Sequence, residues 1–131
     1  MLEQGLEALL LATPALTALV GVAGVYPVLV PENATYPALT YQVASASPAY
    51  ALNFAIVGEK RIQFDAWGTN YADAKGVLQA LQRLLDTFQG ALSDGTVVLV
   101  ATRVTETDFW EMAPRLYRAV CEYEIQFSES S

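Results

Sequence analysis

Leu116-Tyr117-Arg118-Ala119-Val120-Cys121-Glu122-Tyr123-Glu124-Ile125-Gln126-Phe127 alternates at period two from end to end. Tyr117, Ala119, Cys121, Tyr123, Ile125 and Phe127 share one side, which is apolar. Leu116, Arg118, Val120, Glu122, Glu124 and Gln126 share the other, which is mixed. Successive side chains of a strand point to opposite faces, so this pattern describes a sheet with one dry face. Lys60 to Trp67 repeats it, with Ile62, Phe64 and Ala66 set against Arg61, Gln63, Asp65 and Trp67. Ala38 to Ser47 is a third strand, with Leu39, Tyr41 and Val43 on one face, and Ser47-Pro48 is expected to break it. Thr96 to Glu106 is a fourth. Both faces of its first half are apolar, which predicts a central position in the sheet. Ala49 to Gly58 reads as a loop or a short strand.

Something must cover the dry face, and the chain supplies helices. Asn70 is a natural N-cap, with Asp73 in the first turn. Behind it Tyr71, Ala74, Leu78, Leu81, Leu85 and Phe88 form one stripe, widened by Val77 and Leu84. Gly76 interrupts this helix and is expected to allow close packing on the sheet; Gly90 is the expected stop. Leu2 to Ala12 is a second amphipathic helix, with Leu2, Leu6, Leu9 and Leu10 on one side. Thr13-Pro14 ends it and starts a short third helix, Pro14 to Val20, closed by Gly21. Gly21 to Pro37 holds three prolines and reads as irregular, although Tyr26, Val28 and Val30 alternate as a short edge strand would. Thr107 to Pro114 reads as a loop or short turn. The order is helix, strand, strand, long helix, strand, strand. The expected fold class is α+β: a mostly antiparallel sheet with the long helix and the N-terminal helix on one face, in a single domain spanning 1–131.

The composition narrows the function classes. Of 131 residues, 53% are hydrophobic and 16% charged, the reverse of a disordered chain. The formal charge of −7 offers no positive footprint for nucleic acid, so no sequence-specific nucleic-acid partner is expected. Glu3 and Glu7 stand where a signal peptide would carry bases. Pro14, Gly21, Gly24 and Pro27 interrupt the greasy run from Ala8 to Val30, which argues against a membrane span. The one cysteine excludes an internal disulfide.

There is no histidine. The commonest general base and the commonest metal ligand are therefore both missing. Cys121 lies on the apolar side of its strand, where a thiol is an inert small hydrophobe. Glu106 with Asp108, and Glu122 with Glu124, are carboxylate pairs that could serve a hydrolase or a hard metal. Their positions, at a strand end and on a wet strand face, fit solvated acids better. Asp65 beside Trp67 is best explained by an ion pair with Arg61 or with a neighbouring strand. No catalytic residue, cofactor or metal site is expected, and the chain is expected not to be an enzyme. The exposed aromatics leave two readings, segments packed back over the end of the core or a subunit interface; the candidate interface residues are Trp67, then Phe109, Trp110 and Met112 together, with Tyr26 and Tyr50 in or near the proline-rich region.

The order of segments resembles the tail-completion, or tail-terminator, proteins of long-tailed bacteriophages and prophages. The resemblance is carried by Thr13-Pro14-Ala15-Leu16-Thr17-Ala18-Leu19-Val20-Gly21, Val25-Tyr26-Pro27, Pro37-Ala38-Leu39-Thr40-Tyr41-Gln42, Ile62-Gln63-Phe64-Asp65-Ala66-Trp67, Asn70-Tyr71-Ala72-Asp73-Ala74-Lys75 and the strand quoted first. It covers nearly the whole chain, departing most over Ala44 to Glu59. It implies a fold like the lambda tail terminator and a structural virion role. That role is a homohexameric ring that caps the finished tail tube at the tail-head junction, with the tail-tube protein and the head connector as partners. The protein would be assembled in the bacterial host cytoplasm. The competing reading is a small-molecule-binding or regulatory α+β domain with no catalytic activity.

Overall fold

Alternation alone would leave each strand with one face unsatisfied, and the chain resolves this by laying three helices on one side of a six-stranded sheet. The computed structural model describes residues 1–52, 55–112 and 115–130, the side chains of 48–52, 55–56 and 130 excepted. The elements are α1 (Leu2–Leu11), α2 (Pro14–Val20), β1 (Val25–Pro27), β2 (Ala38–Leu52), β3 (Ala55–Gly68), α3 (Tyr71–Leu85), β4 (Gly90–Ala91), β5 (Val97–Glu111) and β6 (Leu116–Ser130). The sheet order is β1-β2-β3-β6-β5-β4. Only β1 and β2 run parallel; every other neighbouring pair is antiparallel. The fold is the expected α+β class, mostly antiparallel with the long helix and the N-terminal helix on one face.

The side assignments from alternation hold in the two inner strands. Ile62, Phe64 and Ala66 of β3 are buried beneath the helices, as are Ala119, Cys121, Tyr123, Ile125 and Phe127 of β6. Phe64 and Tyr123 meet edge-on with ring centroids 6.0 Å apart. From α3 come Ala74, Val77, Leu78, Leu81 and Leu85; from α1 come Leu2, Leu6 and Leu10. The Asn70 cap forms as expected, its side-chain oxygen accepting from the Asp73 backbone N–H at 2.8 Å. Two polar contacts fix α1 on the sheet. Lys60 Nζ donates to Glu3 Oε1 at 2.6 Å, and the Tyr41 hydroxyl donates to Glu7 Oε2 at 2.7 Å.

Several expected boundaries move. Ser47-Pro48 does not end the third strand: β2 runs on to Leu52 and absorbs the irregularity as a register shift between Ser47 and Tyr50. Ala49 to Gly58 is accordingly the end of one long hairpin, whose residues 53 and 54 lie outside the described ones. The long helix stops at Leu85, with Thr87 in the left-handed region at φ 59°, and Gly90 opens β4 instead of capping a helix. Thr13 precedes α2 as expected, yet its hydroxyl turns back to donate to the Leu9 carbonyl at 2.8 Å.

The largest correction concerns β5. It was expected to be central and to end at Glu106. It runs to Glu111, and β4 covers only Val97 and Val98. Beyond them, among the described residues, β5 is an edge strand. Val97 and Leu99 of its first half are exposed there instead of buried.

Gly76 also differs from expectation: a Cβ there would meet nothing within 4 Å, so it is not a packing glycine. Gly5 is one. A Cβ at Gly5 would come within 2.6 Å of Asp94 Oδ1 and 2.8 Å of Leu92 Cδ1. Gly76→Ala is expected to stabilise the fold by about 1 kcal/mol. Gly5→Ala is expected to destabilise it by about 1–3 kcal/mol. Urea unfolding of the two variants, with m unchanged, checks both signs.

Candidate functional site

The face of the sheet away from the helices is organised around one cross-strand row. Ala38, Trp67, Arg118 and Phe109 stand side by side on β2, β3, β6 and β5. The Arg118 guanidinium lies between two rings, 4.5 Å from the Phe109 centroid and 5.4 Å from that of Trp67. Arg118 Nη1 donates to Asp65 Oδ2 at 2.9 Å, and Arg118 Nε lies 3.1 Å from Glu111 Oε1. Gln63 Nε2 donates to the other Asp65 oxygen at 2.8 Å. Trp67 Nε1 donates to Thr40 Oγ1 at 3.1 Å. Asp65 is only 6% exposed, so its charge depends on these partners. The cation that pairs it is on the neighbouring strand, one of the two options open to the sequence. Arg118 itself was not singled out there, although a lone base on the mixed face of the best strand was a usable signal.

This row floors an open cleft of about 370 Å³ between Gln42, Gln63, Leu116 and the segment Val28–Val30 with Tyr36. Val28 closes a γ-turn, with the Leu29 N–H donating to the Pro27 carbonyl at 2.8 Å. Its φ of 67° is an unfavourable value for a β-branched residue. The turn throws Val28 and Leu29 outward, 59% and 68% exposed.

The other face of the β5 end is polar and aromatic. Lys75 Nζ donates to Glu106 Oε2 at 2.8 Å and to Asp108 Oδ1 at 3.2 Å; Gln82 Nε2 donates to Glu106 Oε1 at 2.6 Å. The Tyr71 hydroxyl donates to Asp108 Oδ2 at 2.8 Å. Hydrogen bonding to Lys75 and Gln82 holds the Glu106 carboxyl below the usual glutamate value. The bond from Tyr71 to Asp108 holds the phenol above its own. Trp110 packs on Tyr117 at 4.7 Å between ring centroids, and Tyr117 meets Tyr71 at 5.8 Å. Trp110 Nε1 points to the Met112 sulfur at 3.3 Å.

Phe109, Trp110 and Met112 therefore do not share a loop. Phe109 and Trp110 are consecutive strand residues on opposite faces, and Met112 sits in the turn that follows. The structure joins Phe109 to Trp67 through Arg118 and places Tyr26 across the sheet in β1. Tyr50 belongs to β2, but its side chain lies outside the described residues.

The acids examined for chemistry are engaged in other ways. Glu106 and Asp108 hold Lys75, and Glu122 accepts from the Thr105 hydroxyl at 3.2 Å. The neighbouring Glu59 raises the Glu124 carboxyl, because a hydrogen bond between the two requires one of them to keep its proton and their charges repel when both are ionised. Burial pushes the Cys121 thiol up to about 12, far from a thiolate at neutral pH.

Exposed large apolar side chains gather at the two lateral edges of the sheet. Ten of the thirteen among the described residues are there. Val22, Val28, Leu29 and Val43 lie at the β1–β2 edge; Val97, Leu99, Val104, Phe109, Trp110 and Met112 lie at the β5 edge. The first edge is also uncharged to an unusual degree: between Glu7 and Glu59 the only charged residue is Glu32. Among the described residues, no helix is long and apolar enough to cross a membrane.

The chain thus presents a sheet covered by helices on one side, apolar side chains exposed at its edges, and the acids of the β5 end held in ion pairs. Residues 4–128 match the model of the tail completion protein gp17 family. The chain belongs to that family, and its general role is a structural one in completing a virion tail. The fold is similar to a chain in the virion of a native gene transfer agent particle. The TM-score is 0.69 at 16% identity, over 96% of this chain and 90% of that one. No curated protein sequence matches.

Two predictions follow from the ion pairs. Arg118→Met leaves Asp65 buried without its partner and is expected to cost about 3 kcal/mol. Asp65→Asn combined with Arg118→Met should recover part of that loss in a double-mutant cycle. For Glu106 the folded value lies below the unfolded one. Its contribution is thus present above the ordinary glutamate range and is lost as pH falls through the depressed value. Lys75→Met should flatten the acid limb of the stability profile, read by urea unfolding between about pH 3 and pH 6.

Proposed function

We propose that this protein is the ring that caps the completed tail tube and joins it to the head connector. Copies assemble, expected as a homohexamer, at the tail-head junction of the virion, after synthesis in the host cytoplasm. The observation that supports this most is the family match over residues 4–128, on a fold whose exposed apolar groups concentrate at two opposite edges. Such edges suit repeated contact between identical copies better than one concave ligand site does. The reading makes the protein non-enzymatic. Its acids hold bases and its thiol is buried, so the residues are engaged in structure.

A second reading has one observation in its favour. The open cleft above Asp65 and Arg118 falls within the size range of small-ligand sites. Against it, the polar groups of the floor already bond one another, and the cleft opens to solvent along the Val28–Val30 segment.

The purified protein is expected to sediment and scatter as an oligomer near six copies, and to show rings with a central hole in negative stain. Trp110→Ala should weaken that assembly by roughly tenfold or more, since truncating an aromatic anchor at an interface typically costs over 1 kcal/mol. In an extract lacking this chain, tails should fail to join heads, and added protein should restore joining. A strictly monomeric mass at high micromolar concentration, together with no effect in that extract, would sink the proposal.

A further inference from the structure

The geometry points to a specific contact between copies: the free length of β5 in one copy pairs antiparallel with the free length of β2 in the next. This inference rests on the ring reading and names which surfaces meet. Three observations carry it.

The first is that the two edges are open over the same height of the sheet. β1 covers β2 only from Leu39 to Tyr41, and the Val28 N–H then takes the Tyr41 carbonyl at 2.9 Å. From Gln42 onward β2 has no outer neighbour among the described residues. β5 has none beyond Val98. Through β3 and β6, Gln42 stands level with Thr105, and Ser47 stands level with Val100. Copies set side by side without vertical offset therefore bring residues 42–47 against residues 100–105. Both strands carry a register shift inside this window, between Val43 and Ser45 and between Arg103 and Thr105. A bulge usually blunts an edge against strangers. Two bulges at nearly the same level leave these edges matched chiefly to each other.

The second observation is strand direction. β2, β3, β6 and β5 alternate strictly, so the two outer members of this set of four run in opposite senses. A rotation about an axis along the strands keeps those senses. It sets β5 of one copy antiparallel to β2 of the next, which gives the perpendicular hydrogen bonds of an antiparallel ladder. A contact between two different edges repeats from copy to copy and gives a ring where the rotation closes.

The third is chemical. The receiving edge has no charge from Val28 to Gly58 except Glu32, so it buries without stranding an ion. The arriving edge does carry charges, but Glu106 and Asp108 turn to Lys75, and Arg103 lies 3.3 Å from Asp86. A groove of about 490 Å³ lined by Pro27, Val28, Tyr41, Gln42, Val43 and Glu3 runs beside the β2 edge; Glu3 is already paired with Lys60 at 2.6 Å, so the arriving strand meets no unpaired charge there.

Ser45 and Thr102 stand level on the face away from the helices, and both are exposed. Ser45→Cys and Thr102→Cys are made as separate full-length proteins and treated with a short bis-maleimide that tolerates a slip of one pair. The native Cys121 is buried and serves as the unreactive background. Mixing the two variants is expected to give a cross-linked pair that neither gives alone. The double variant should give a ladder that ends at the ring. Val43→Asp should raise the concentration needed for assembly by roughly tenfold or more, while Leu19→Asp, on α2 and outside both pairing strands, should not.

Rings in the microscope without a mixed cross-link would overturn this contact and leave the ring reading standing. A cross-link in Thr102→Cys alone would mean that like edges meet, which also overturns it. Absence of any oligomer and of any cross-link at high micromolar concentration would overturn the contact, and with no effect in the joining extract it would remove the ring as well.

Discussion

The structure depends on a single constraint: the sheet is covered on one side only. Helices α1, α2 and α3 all lie on the same face, and β3 and β6 send their largest apolar residues there. In β3 and β6 that requirement fixes the register completely, because a slip of one residue would exchange Phe64 and Tyr123 with Gln63 and Glu122. The opposite face then has no apolar partner of its own. It is held by Arg118, whose charge serves Asp65 while its flat guanidinium fills the space between Trp67 and Phe109. An arginine suits this position because its plane stacks and its fork bonds at once, which a lysine cannot do.

What was legible in the sequence follows from the same constraint. Where one side of an element is dry, its period shows. β3, β6 and α3 were therefore readable in type and in facing, and the Asn70 cap carried its own signal. The end of β5 was not readable, because neither of its faces is a dry core face. Thr107 to Glu111 has no hydrophobic alternation, and its strand conformation is maintained by pairing with β6 and by Lys75, Gln82 and Tyr71 reaching across from α3. The contacts from α3 span more than twenty residues of sequence, and local propensity does not record them. The same blindness made the first half of β5 look central, since an apolar face gives one pattern whether a helix or another copy covers it. Of the candidate interface residues, Trp67 and Phe109 proved to be neighbours through a third residue, a relation that only the register reveals.

The charge balance also reads differently once the contacts are known. The chain has seven bases to fourteen acids, and five of the bases (Lys60, Arg61, Lys75, Arg103 and Arg118) sit in ion pairs. The surplus acid is therefore left on the surface, where it opposes any close association with a nucleic-acid backbone. It does not oppose association of copies along the sheet edges, because the β1–β2 side carries almost none of it.

The edges themselves are the part of the molecule that a monomer would have altered. Soluble sheets protect an outer strand with outward charge, proline or brevity. β5 has fifteen residues and includes Arg103, Glu106, Asp108 and Glu111, which is enough charge to guard it. Yet these groups are drawn across the faces, to Asp86, to Lys75 and to Arg118, and the backbone edge beyond Val98 keeps Leu99 and Val104 exposed beside it. On the other side, the strained turn at Val28 presents two more apolar side chains at the margin of β2. A single copy of this fold bonds its own charges inward and leaves both ends of its sheet unguarded. The same sheet continued through its neighbours removes both edges at once, and in a closed ring none is left over.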